Sequence, residues 1–145
     1  MTDLRGTRTE ANLRAAFAAD AQADRRFTYF ARRADIEGRP EAARLFRDLA
    51  AGETGHALGH LELLEEAGDP VTGMPVGDTE TNLRSALAGE THEHGELYPA
   101  LARTAREEGF EEIAEWFESL AGAHGIRARR LAATLRSVTG DGEDG

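Results

Sequence analysis

The chain has 145 residues, enough for one domain with a real core. It has no cysteine, which excludes disulfides, thiolate zinc sites, cysteine-bound iron–sulfur clusters and a cysteine nucleophile. A formal net charge of −10 disfavours nucleic acid and anionic membrane as partners and mildly favours the attraction of cations.

The N-terminus, Met1-Thr2-Asp3-Leu4-Arg5, has no apolar signal region, and no run approaches the ~18 apolar residues of a spanning helix. The expectation is a cytoplasmic protein with no membrane partner. Alanine, leucine, arginine and glutamate dominate and β-branched residues are sparse, an all-helical composition.

Thr7 and Glu10 have capping-box spacing and predict the start of a first helix. Its inward stripe is Leu13, Ala16, Phe17, Asp20, Ala23, Phe27, Phe30, Ala31 and Ala34, apolar except for one aspartate. Gly38 ends it and Pro40 suits the first position of the next. A second helix follows to about Ala67, with Ala42, Phe46, Leu49, Glu53, His56 and His60 on one stripe. Gly68-Asp69-Pro70 stops it, and residues 68–78 are the one substantial linker. A third helix runs from Asp78 or Thr79 to about Glu107, with Leu83, Ala86, Leu87, Glu90, Glu93, Leu97, Leu101 and Ala105 inward. Gly109 makes a tight turn. The fourth helix spans about Phe110 to Val138, with Ile113, Phe117, Leu120, His124, Arg127 or Ala128, Leu131 and Leu135 inward. Residues 139–145 form an acidic tail expected to be flexible.

The chain is also an internal duplication. TEANLRAAFAAD at 9–20 matches TETNLRSALAGE at 79–90 with seven identities in twelve. The offset of 70 is expected to become 71 after Glu107-Glu108-Gly109, which pairs Phe46 with Phe117 and Ala50 with Ala121. Two related helical hairpins, and so a four-helix bundle, are predicted.

The chemistry sits at mid-helix. Glu53-x-x-His56 puts a carboxylate and an imidazole on one side of a helix, a ligand pair suited to iron, manganese or zinc. The repeat pairs Asp20 with Glu90, Ala23 with Glu93, Glu53 with His124 and His56 with Arg127. Helices of about 28 residues are about 42 Å long, and groups at mid-length meet at one level. Asp20, Glu53, His56, Glu90, Glu93 and His124 are therefore expected to converge. Four carboxylates in a dry interior cost several kcal/mol per uncompensated ion, against a total stability of about 5–15 kcal/mol. Cations or protons must neutralise them; otherwise single residues turn to solvent or pair with arginines.

These stretches, with Glu-Leu-Tyr-Pro at 96–99 and Ala-Arg-Glu-Glu-Gly-Phe-Glu-Glu-Ile-Ala at 105–114, resemble rubrerythrin, in the ferritin-like four-helix carboxylate superfamily. The resemblance implies two iron ions and reduction of hydrogen peroxide to water in oxidative-stress defence. It makes Glu53 a bridging carboxylate, His56 and Glu93 alternative ligands of one iron, and Glu90 a terminal ligand of the other. Tyr98 becomes a hydrogen-bond donor beside the ligands and is expected to act as a catalytic residue.

Three departures bear on that reading. Asp20 stands where the family has glutamate, one methylene shorter. His124 and Arg127 stand where the family has a second Glu-x-x-His, and a guanidinium cannot bind metal. No cysteine is present for the rubredoxin domain that delivers electrons, so an external electron-donor protein is expected. The cofactor expectation is two iron ions or one, with manganese and zinc as alternatives, and peroxide or dioxygen as the oxidant. The alternative reading is a non-enzymatic one-metal protein with Arg127 in place of the second metal. Glycines at 52, 55, 59, 89, 95, 122 and 125 lie inside predicted helices and mark either close helix approach, a cavity, or tolerated drift. Tyr29 and Trp116 read as core or interface residues, and His60, His92 and His94 as surface residues or neighbours of the ligands. Eleven linker residues span at most about 36 Å, close to a bundle length; a homodimer is expected, with its hairpins either exchanged between chains or not.

Overall fold

The computed structural model describes residues 2–140. All regular structure among them is helical, and the chain forms two compact units that part between Pro70 and Val71. No helix among the described residues is long and apolar enough to cross a membrane.

The first unit is a helical hairpin of α1 (Arg8–Ile36) and α2 (Pro40–Leu64), closed by a 3-10 turn at Glu65–Ala67. Thr7 caps α1 by accepting from the Glu10 amide at 3.1 Å, while the Glu10 carboxylate takes the Gly6 amide, also at 3.1 Å. The second unit holds α3 (Thr79–His92), a π turn (Glu93–Leu97), α4 (Tyr98–Glu107) and α5 (Glu111–Thr139). Asp78 caps α3 by accepting from the Thr81 amide at 2.8 Å.

Both hairpins turn in the same way. Gly38 and Gly109 take positive φ, and the following amides reach back to the preceding helix, Arg39 to the Ala34 carbonyl at 2.8 Å and Phe110 to that of Ala105 at 2.7 Å. This left-handed cap satisfies orphan carbonyls and requires a residue without Cβ strain, hence glycine at both places.

The cores are small and built on alanine. Ala31, Ala34, Ala43, Ala50, Ala57 and Leu64 are buried in the first unit, and Ala102, Ala105, Ala114, Ser85 and Gly125 in the second. Phe27 stacks on Phe46 with ring centroids 6.2 Å apart, and Tyr98 lies 6.1 Å from Phe117 in the corresponding place.

That correspondence corrects the expected repeat. Tyr98 already follows Phe27 by 71 positions, and Ala102 follows Ala31 by the same step, before the turn at Gly109. The extra residue enters at the π turn, whose wider i→i+5 loop accommodates one more residue than an α turn. A second correction concerns the inward stripes. Leu49, Leu97, Leu101 and Ile113 are exposed, as are Tyr29 and Trp116. A pair of helices can bury only the sides that face each other, and these residues lie outside that seam. The described part of the acidic tail is Thr139, the last residue of α5, and its left-handed cap Gly140; residues 141–145 lie outside the described residues.

Candidate metal centre

The six expected ligands are gathered as two trios, one in each unit. In the first, Asp20 of α1 and Glu53 and His56 of α2 offer donor atoms that all lie within 4.8 Å of one another. Glu53 is sheltered, and its Oε2 is buried with no hydrogen-bond partner. His56 Nδ1 stands 3.6 Å from that oxygen, with the ring side chain 66% exposed. A buried, unpartnered carboxylate oxygen facing a carboxylate and an imidazole is costly unless a cation or proton completes it.

His60, one turn beyond His56, touches this group only at Asp20, by a contact that helix spacing alone does not reveal. Its Nε2–H donates to Asp20 Oδ2 at 2.7 Å. That bond holds the Asp20 carboxyl below the usual range; burial opposes it, and a contact with Glu53 acts in the same direction as His60. Nearby, Thr54 Oγ1 donates to Asp24 Oδ2 at 2.7 Å and ties α2 to α1.

In the second unit Glu90, Glu93 and His124 form the other trio within 4.8 Å. His124 Nδ1 is hydrogen-bonded to Glu90 Oε2 and lies 2.9 Å from Glu93 Oε2. One ring nitrogen facing two carboxylates carries at most one N–H, too little positive charge for both, whereas a divalent cation satisfies all three donors. Tyr98 contacts this trio through its ring, which stacks on the His124 imidazole at 4.9 Å and 14°. Arg127 Nη1 approaches Glu90 Oε1 at 3.7 Å from an exposed position.

Glu93 opens the π turn, so the helix is widened where it presents a member of the second trio. His94 Nδ1–H donates to the Ala121 carbonyl at 2.7 Å and pins that turn to α5. A Cβ on buried Gly125 would lie 2.7 Å from the His94 ring, so close approach explains this glycine. Gly52, Gly55, Gly59, Gly95 and Gly122 have nothing within 4 Å of such an atom, so close approach does not explain them, and Gly95 lines a groove of about 750 Å³ with Leu87, Thr91 and Leu135. His92 pairs with Glu96 on the surface at 2.9 Å.

Both donor sets fit a divalent metal of intermediate hardness: carboxylates with imidazole, and no thiolate. Beside Glu90 a groove of about 440 Å³ opens, lined also by Ala86, Arg127, Arg130, Leu131 and Thr134.

A sequence model of the family described as "Rubrerythrin" matches residues 11–134. Rubrerythrin of Nitratidesulfovibrio vulgaris is 41% identical over 143 residues, covering 95% of this chain and 74% of its own. Rubrerythrin of Porphyromonas gingivalis is 41% identical over 146 residues, covering 98% and 71%. A solved structure titled as a mixed-valence state of nigerythrin is 31% identical, covers 99% of this chain and 74% of that one, and superposes with a TM-score of 0.43.

Proposed function

The chain belongs to the rubrerythrin family, and from that premise we propose that its two trios hold iron and that it reduces hydrogen peroxide or dioxygen with electrons from an external donor. The observation that carries this reading is the pairing, in each unit, of two carboxylates with one imidazole at mid-helix. The repeat that equates Asp20 with Glu90 and Glu53 with His124 supports giving the two trios the same kind of role.

Iron held by these residues would pass electrons from the external donor to the oxidant. The protein's part is to bind, orient and neutralise. Asp20, Glu53 and His56 serve the first trio; Glu90, Glu93 and His124 serve the second. The Tyr98 ring holds the His124 imidazole in one plane. The groove beside Glu90 gives a small oxidant a route from water. An external electron-donor protein is proposed to supply the electrons. A homodimer is the proposed assembly, supported by the exposed Leu49, Leu97, Leu101 and Ile113; light scattering at twice the chain mass is the expected result, and a monomer at micromolar concentration rejects it.

A second reading has its own support. Arg127 beside Glu90 supplies a fixed positive charge where another ligand would be needed, which favours one metal per chain. The experiment for the first reading is anaerobic loading with ferrous ion, followed by peroxide. Oxidation of protein-bound iron faster than of free ferrous ion, with two irons per chain, is expected. One iron per chain with no acceleration selects the second reading.

A further inference from the structure

We propose that His60 is the positioning residue of Asp20: its Nε2–H fixes Oδ2 and turns the other carboxylate oxygen toward a cation held with Glu53 and His56. This rests on the metal-centre reading above.

Three observations carry it. The first is the bond itself, 2.7 Å long, between side chains only 25% and 27% exposed, where water competes weakly. No arginine pairs with Asp20 among the described residues, and of the two side chains bonded to it, His60 and Glu53, the imidazole has the larger effect on the carboxylate.

The second is the internal repeat. The counterpart of His60, 71 positions on, is Leu131, and the counterpart of Asp20 is Glu90. Leu131 and Glu90 line one groove, so the two positions are neighbours in the second unit as well. The first unit thus has a polar side chain in place of leucine beside a carboxylate shorter by one carbon–carbon bond, about 1.5 Å. A shorter acid reaches less far and needs a set direction to serve as a ligand. A hydrogen bond from a neighbouring ring supplies that direction, as groups around metal ligands generally do.

The third is the position of His60 relative to the trio. Asp20, Glu53 and His56 bring their donor atoms within 4.8 Å of one another, and His60 is not a member of that group. It touches Asp20 and acts through it, as a positioning residue and not as a ligand.

The test uses the full chain. In the metal-free protein, nitrogen NMR of the His60 ring is expected to place its proton on Nε2; a ring protonated only on Nδ1 overturns the proposal. Anaerobic Co(II) titration, followed by the visible absorption bands, then compares variants whose helical content is unchanged by circular dichroism. His60→Leu is expected to weaken the tightest Co(II) binding by about 10–100-fold and shift the bands. His60→Gln places an amide N–H near the position of Nε2 and is expected to restore most of that affinity. Equal affinity in wild type and His60→Leu overturns the proposal. So does a His60→Gln variant as weak as His60→Leu, which would make His60 a ligand. Failure of the wild type to bind Co(II) at all overturns the metal-centre reading, and this proposal with it.

Discussion

Glu53→Gln is expected to weaken divalent-metal binding by about 100-fold or more, a larger loss than for a residue outside the ligand shell. The same change is expected to make the metal-free protein more stable by about 1 kcal/mol. The two effects have one cause. Glu53 Oε2 is buried without a partner, and its neighbours are the Asp20 carboxylate and the His56 ring. Without metal, that arrangement places two acids together with little to neutralise them. Glutamine keeps the shape, removes one acid and offers an N–H to Asp20. With metal, the lost carboxylate is a lost ligand. Calorimetry in chelator should show a melting temperature about 2–4 °C higher, and Co(II) titration the loss of affinity. A variant that loses stability as well as metal would make Glu53 a structural residue and contradict this account.

Leu64→Ala carries the largest expected cost in stability, about 2–5 kcal/mol. Leu64 is 1% exposed at the end of α2, in a unit whose other buried hydrophobic residues are alanines. With so few large side chains inside, removing one leaves a cavity that small neighbours cannot fill. Against a total of about 5–15 kcal/mol, the loss should appear as a large fall in the urea midpoint. The neighbouring Leu63 is exposed, and Leu63→Ala should change stability by less than about 0.5 kcal/mol. Equal effects at the two positions would contradict the burial pattern.

Much of this was legible in the residues because the signals are local. Thr7 and Asp78 as caps, Gly38 and Gly109 as turn glycines, and Pro40 at a helix start all act within a few positions. The six carboxylate and imidazole positions stood out because each interrupts an otherwise apolar stripe, but their division into two trios, one per unit, did not. The π turn was not legible either. Glu93-His94-Gly95-Glu96 leaves a polar gap between Glu90 and Leu97, and a 3.6-residue period read across a gap tolerates a slip of one. The step in the repeat from 70 to 71 was the available signal, and it lies at this turn and not after Gly109. The bond from His60 to Asp20 joins positions forty residues apart, so spacing along one helix could suggest an inward histidine but not its partner. Exposure of Leu49 and Ile113 escaped the same method, since periodicity marks the apolar side of a helix and not how much of it one neighbour covers.

The central claim is that the Asp20–Glu53–His56 and Glu90–Glu93–His124 trios are built to hold metal. X-ray diffraction from iron-loaded crystals, collected on both sides of the iron absorption edge, tests it most directly. Anomalous density bonded to Glu53 and to the Glu90–Glu93 pair is expected. Iron absent from both trios, with Glu53 Oε2 and His124 Nδ1 bonded only to protein or water, would contradict it.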